Sequence, residues 1–159
     1  MVARTPAAYA SLVAQLHERS MTRRYLALAW GHVQEGGGLV DAPIGRASSD
    51  PTRMTVAARG KEARTRYTVL SRYNDPVPVT LLNCQLETGR THQVRVHLAA
   101  IDHPVVGDAR YGGRRAEIAV SRPFLHAEHL AFDHPSTGER IELTSPLPAD
   151  LQSVLDRLG

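Results

Sequence analysis

A single cysteine, Cys84, occurs in 159 residues. That excludes a disulfide framework and makes a reduced cytosol the natural home. Cys84 lies among Leu81, Leu82 and Leu86 on a strand pattern, where a small thiol is usually a packing residue. No apolar run approaches the ~20 residues of a membrane span, and the N-terminus has no apolar signal core. A soluble, cytoplasmic protein is expected. Zinc has neither a CxxC nor an HExxH pair to hold it. His92 and His97 stand five apart, about 140° around a helix, and two His-Pro pairs (103–104 and 134–135) look like turn punctuation with His126 and His129 between them. Metal binding is therefore not expected. Glycine-rich phosphate loops, internal repeats, low-complexity tracts and linkers are all missing. Lysine is nearly so: Lys61 is the only one among 19 basic residues.

A hydrophobic content of 42% and a charged fraction of 22% describe one domain with room for a core. Net charge is only +3, but arginine carries almost all of the positive side. Its planar fork matches phosphate and stacks on bases, although GC-rich coding also enriches it. Arg53, Arg59, Lys61, Arg64, Arg66 and Arg72 stand against Glu62 alone between residues 53 and 72. Such a local excess is either a nucleic-acid face or a solvated face of a sheet.

Thr5 and Pro6 predict a helix start, with Tyr9, Leu12, Val13 and Leu16 as its buried stripe. Arg24–His32 reads as a central strand, apolar on both faces. Tyr25 lies in it, where packing with a bonded hydroxyl is the bland explanation. Short strands are expected at Leu39–Ile44 and Met54–Ala58, then longer ones at Arg64–Tyr73 and Val77–Leu86. Residues 110–122 read as a loop, 124–132 and 139–144 as a hairpin, and 148–158 as a closing helix. The expectation is an α+β fold, a mainly antiparallel sheet flanked by helices.

The chain is organised around Leu86–Gly113, LETGRTHQVRVHLAAIDHPVVGDARYGG. Thr91 is placed to cap a helix over 91–101, whose buried face would be Val94, His97, Leu98 and Ile101. Arg90 is out of place there, because a cation beside a helix N-terminus opposes the helix dipole. It calls for a carboxylate or a phosphate, or else it is a solvated surface arginine. Asp108 reads as a turn cap.

This stretch resembles the signature of RNA pseudouridine synthases of the RluA/RluD type, which modify ribosomal and transfer RNA. Four further segments agree in order: 22–27 (TRRYLA), 39–46 (LVDAPIGR), 53–56 with 60–67, and 125–127 through 132–135. The resemblance implies a curved, mixed but mainly antiparallel sheet with a central RNA cleft, and no cofactor. It implies Tyr25 as the stacking, proton-accepting tyrosine and Arg90 as the partner of a nucleophilic Asp. Leu125 would be an apolar wall near the base. Thr91, His92, Gln93 and Arg95, with Arg64 and Arg66 on the basic strand, would bind substrate.

One departure matters. The family's nucleophile lies in an HRLDxxTSG segment shortly before a strand ending VVAKT, and Met1–Thr5 resembles only the tail of that strand. None of the eight aspartates stands in a comparable context. The chain is thus expected to be an N-terminally truncated catalytic domain, inactive alone. The alternatives are an RNA-binding module that cannot isomerise uridine, or one half of a split enzyme. An uncovered sheet edge and apolar surface would then favour a homodimer or a partner carrying the missing segment.

Overall fold

In a computed structural model that describes residues 2–159, a six-stranded antiparallel sheet carries the fold. The elements run α1 (Pro6–His17), β1 (Thr22–Trp30), β2 (Gly37–Asp41), β3 (Ile44–Arg46), β4 (Met54–Val56), β5 (Arg64–Tyr73) and β6 (Val79–Leu86). They continue as α2 (Gln93–Ala100), β7 (Leu125–Asp133), β8 (Arg140–Thr144) and α3 (Ala149–Leu155). The sheet order is β2-β5-β6-β1-β7-β8, with β3 and β4 in a separate two-stranded sheet. The expected α+β class, mainly antiparallel with helices against it, is the observed one, and every strand pair is antiparallel.

β1 is central, as its two-sided apolar pattern predicts, with β6 on one side and β7 on the other. Leu28, Leu82, Leu98, Val105, Val106, Phe124 and Leu151 are all fully buried in the main core, which joins the sheet to α2 and α3. A second cluster of Ile44, Ala63, Val96 and Tyr111 ties the small sheet to α2. α2 is therefore buried on two sides, more than the single stripe of the sequence pattern allowed.

Three local expectations are corrected. The strand expected at 39–44 is two strands, because Pro43 has no N–H to continue a ladder and the chain leaves one sheet for the other there. Thr91 is exposed and caps nothing; the residue preceding α2 is His92, in left-handed backbone at φ 57°. α1 begins as predicted, with Thr5 Oγ1 accepting from Ala8 N at 3.2 Å. Its apolar stripe is not buried, however. Only Leu12 and Gln15 are, while Tyr9, Val13 and Leu16 face outward.

Candidate active site

Arg90 stands in the turn between β6 and α2, and the turn is held from behind. Gln93 is 2% exposed, and its Oε1 accepts from Arg90 N at 3.0 Å and from the Thr88 hydroxyl at 2.7 Å. Its Nε2 donates to Arg64 O at 2.9 Å and to Thr65 Oγ1 at 3.0 Å. His97 Nε2 faces a carbonyl and must donate, to Ala42 O at 2.9 Å, so in the neutral ring Nδ1 accepts from the Thr65 hydroxyl at 2.9 Å. These partners assign His97 as the neutral Nε2–H tautomer. Burial pulls its pKa below the ordinary value, against the opposing Ala42 carbonyl and Asp41. A buried polar chain with every bond made holds one geometry. It ends on the Arg90 main chain.

A second network braces α2 from the other side. Arg95 donates from Nε and Nη2 to the two carboxylate oxygens of Asp108, at 2.6 and 2.8 Å. Asp108 is fully buried and also accepts from the main-chain N–H groups of Arg110 and Tyr111, as a turn cap would. Burial pushes the Asp108 carboxyl up, but the Arg95 bond and charge together with the Arg110 and Tyr111 N–H groups hold it below the usual range. The Tyr111 ring lies 4.9 Å under the Arg95 guanidinium, and its hydroxyl is 3.0 Å from His92 Nδ1. Burial first, then Arg95 and Arg110, lower the pKa of His92.

The Arg90 side chain is less engaged. Among the described residues its one side-chain hydrogen bond runs from Nε to Glu62 O, 2.8 Å, and it has no carboxylate partner. It lines a cavity of about 450 Å³ with Val13, Leu16, Arg23 and Glu87. Tyr25 lines a neighbouring cavity, also about 450 Å³, with Glu128, His129 and Leu143. Leu16 and Arg23 belong to both walls. The register sets Tyr25 opposite Ala127 and Ala27 opposite Leu125, so Leu125 is a diagonal neighbour of Tyr25 on the same face. The β1–β7 register shifts just before Tyr25, a β-bulge of the kind that re-aims side chains beside active sites.

Arg23 is the residue that reading by motif left without a role. It is two positions before Tyr25 on one strand, hence on the same face, and that spacing was a usable signal. Its Nε is buried without a hydrogen-bond partner, and burial lowers its pKa, against the pull of Tyr25. Gly89 lies so close that a Cβ there would meet the guanidinium.

The structure thus brings together Tyr25, Arg23, Leu125 and the Arg90 turn. It places Gln93, His92 and Arg95 behind that turn rather than on the cavities. Thr91 is exposed beside Arg90. Arg64 and Arg66 both face Glu87, at 3.2 and 3.0 Å, and Arg64 is also 3.1 Å from Asp41.

Comparison with known proteins shows the family. Residues 1–100 match the family described as RNA pseudouridylate synthase. A protein named as an uncharacterised RNA pseudouridine synthase, YlyB of Bacillus subtilis, is 46% identical over 158 residues, covering 99% of this chain and 51% of that protein. The ribosomal large subunit pseudouridine synthase D of Nitrosomonas europaea is 44% identical over 165 residues, covering 99% of this chain and 47% of its own. Among solved structures, human RNA pseudouridylate synthase domain containing 1 superposes with a TM-score of 0.77 at 36% identity, covering 96% of this chain and 66% of that one. The chain spans about half the length of the curated relatives it matches. A sheet, a signature turn and a sequence match over most of the chain agree, and the chain belongs to the RNA pseudouridylate synthase family.

Proposed function

We propose that this chain is the part of an RNA pseudouridine synthase that contributes Tyr25 and Arg90, acting in the cytoplasm on ribosomal or transfer RNA. The reaction breaks the bond between ribose C1′ and uracil N1 and makes one between C1′ and C5. C5 gives up its proton and N1 gains one, so nothing is oxidised and atoms balance without a co-reactant. The target base has to leave its stack to be reached. Tyr25 stacks on the extruded uracil and accepts the C5 proton, Leu125 bounds the base, and Arg90 holds a nucleophilic carboxylate ionised.

That carboxylate is not supplied by these 159 residues, and the chain alone does not isomerise uridine. The observation that carries this reading is Arg90 at a cavity wall, its guanidinium hydrogen-bonded, among the described residues, only to a main-chain carbonyl. The acidic residues around it are already matched: Glu62 to Arg19 at 2.6 Å, and Glu87 to Arg64 and Arg66. A split or complemented enzyme is favoured over a dead binding module by the outward face of α1. Val13 and Leu16 line the Arg90 cavity yet stay exposed, as they would if a further segment covered them.

The test is pseudouridine formation on bulk ribosomal and transfer RNA, with and without an added HRLD-bearing segment. Silence alone and activity on complementation are expected, and Arg90→Ala should abolish the complemented activity. Turnover by the unaided chain would refute the missing-nucleophile reading. RNA binding with no activity in either mixture would favour the binding module.

A further inference from the structure

The six cations between residues 53 and 72 do not stay together in the fold. Arg64 and Arg66 are drawn to Glu87. Arg72 donates to the carbonyls of Val33 and Gln34, at 2.9 and 3.0 Å. Arg53 lies over the Tyr111 ring, 5.4 Å from its centre. Arg59 and Lys61 remain, exposed and without an ion-pair partner among the described residues.

Two arginines from elsewhere in the chain join them. Arg46, Arg59, Lys61 and Arg90 line one cavity of about 500 Å³, and no aspartate or glutamate lines it. Glu62, next along the chain, turns its carboxylate to Arg19. Four cations around one space repel each other unless an anion sits between them.

The frame beneath them is rigid. Ile44 and Lys61 exchange main-chain hydrogen bonds at 2.9 Å in both directions. A Cβ on Gly60 would come 2.5 Å from the Ile44 carbonyl carbon, so the turn closes only on glycine. Ile44 in turn packs in the cluster with Val96 of α2. Gly89 and Arg90 line both this space and the cavity that holds Arg23 and Glu87. An anion here would therefore lie immediately beside the candidate active site.

We propose that this cavity is a phosphate cradle for the RNA backbone next to the target uridine, with Arg46, Arg59 and Lys61 supplying the contacts. The proposal rests on the RNA reading above. Phosphate contacts of this kind hold register and orientation, and they make binding salt-dependent.

The experiment is binding of a labelled uridine-rich single-stranded RNA by the 159-residue chain across a salt series. Arg59→Gln, Lys61→Gln and the double variant are compared with Arg157→Gln, whose side chain lies outside the cradle. The slope of log affinity against log salt should fall by about 0.7 for each cradle cation removed, with melting temperatures unchanged. Should the double variant melt early, the single variants carry the same comparison. Equal slopes for the cradle variants and the unsubstituted chain would overturn the cradle and leave the RNA reading standing. An equal fall in Arg157→Gln would also overturn it, as loss of net charge alone. Absence of salt-dependent RNA binding by the unsubstituted chain would overturn the RNA reading, and the cradle with it.

Discussion

Arg95 and Asp108 show why a motif position is not yet a role. Both belong to the signature stretch, and a cation in that stretch is a natural candidate for substrate. In the fold Arg95 is committed to a carboxylate that is fully buried and reaches no solvent. Removing one partner of such a pair leaves an uncompensated buried charge, so Arg95→Met should destabilise the chain by about 3 kcal/mol. The urea midpoint reports it; a loss of RNA affinity at unchanged stability would instead make Arg95 a substrate contact. His97 makes a second prediction at this scale. Its folded pKa is depressed below the ordinary 6.5 by burial. As pH falls through the unfolded value, the unfolded chain takes up a proton before the folded one does. Stability is therefore full above about pH 6.5 and declines below it. His92, shifted the same way, adds to the slope. His97→Gln should flatten the dependence of urea stability on pH below about 6.5; an unchanged slope there would mean that His97 contributes nothing to it.

At the scale of elements, α1 is lightly anchored, with only Leu12 and Gln15 buried. Leu12 packs with Met21 and Phe132, and Gln15 bonds to the sheet. The Gln15 amide donates to Asp133 O at 2.8 Å and accepts from Asp133 N at 2.7 Å, as a strand neighbour would. A helix held so lightly depends on its cap. Thr5→Ala should cost about 1 kcal/mol, confined to α1. Hydrogen exchange should quicken at the α1 amides and leave β1 and β6 unchanged. Uniform acceleration would show instead that α1 opens only with the whole fold. The start of α1 was legible because capping is local chemistry. Its buried face was not, because a stripe at helical spacing does not state what it packs against.

For the whole molecule, the outward face of α1 and the edge strand β8 form one exposed apolar region beside the Tyr25 cavity. Tyr9, Val13 and Leu16 on the helix and Leu143 on β8 are all exposed, and Leu16 and Leu143 line the Tyr25 cavity together. An apolar surface with an open strand edge beside it favours association. The chain alone should bind an apolar dye and self-associate as concentration rises. Val13→Glu with Leu16→Glu should abolish both without lowering the melting temperature, since neither side chain is buried. A monomer by sedimentation that binds no dye would show the face to be adequately solvated.

The strands from β5 onward, the hairpin of β7 and β8, the central place of β1 and the identity of the signature turn were legible in the residues alone. Each of these rests on alternation, turn residues or a cap, and those signals act within a few positions of the chain. How the charges are shared was settled by folding. It neutralised Arg64 and Arg66 with Glu87, turned Arg95 inward to Asp108, and gathered Arg46, Arg59, Lys61 and Arg90 around one space. It also joined Gln93, Thr65 and His97 behind Arg90. The physical reason is that a charge or a hydrogen-bonding group takes its partner across space. Arg95 meets Asp108 at 13 residues along the chain, Arg66 meets Glu87 at 21, and His97 meets Thr65 at 32 and Ala42 at 55.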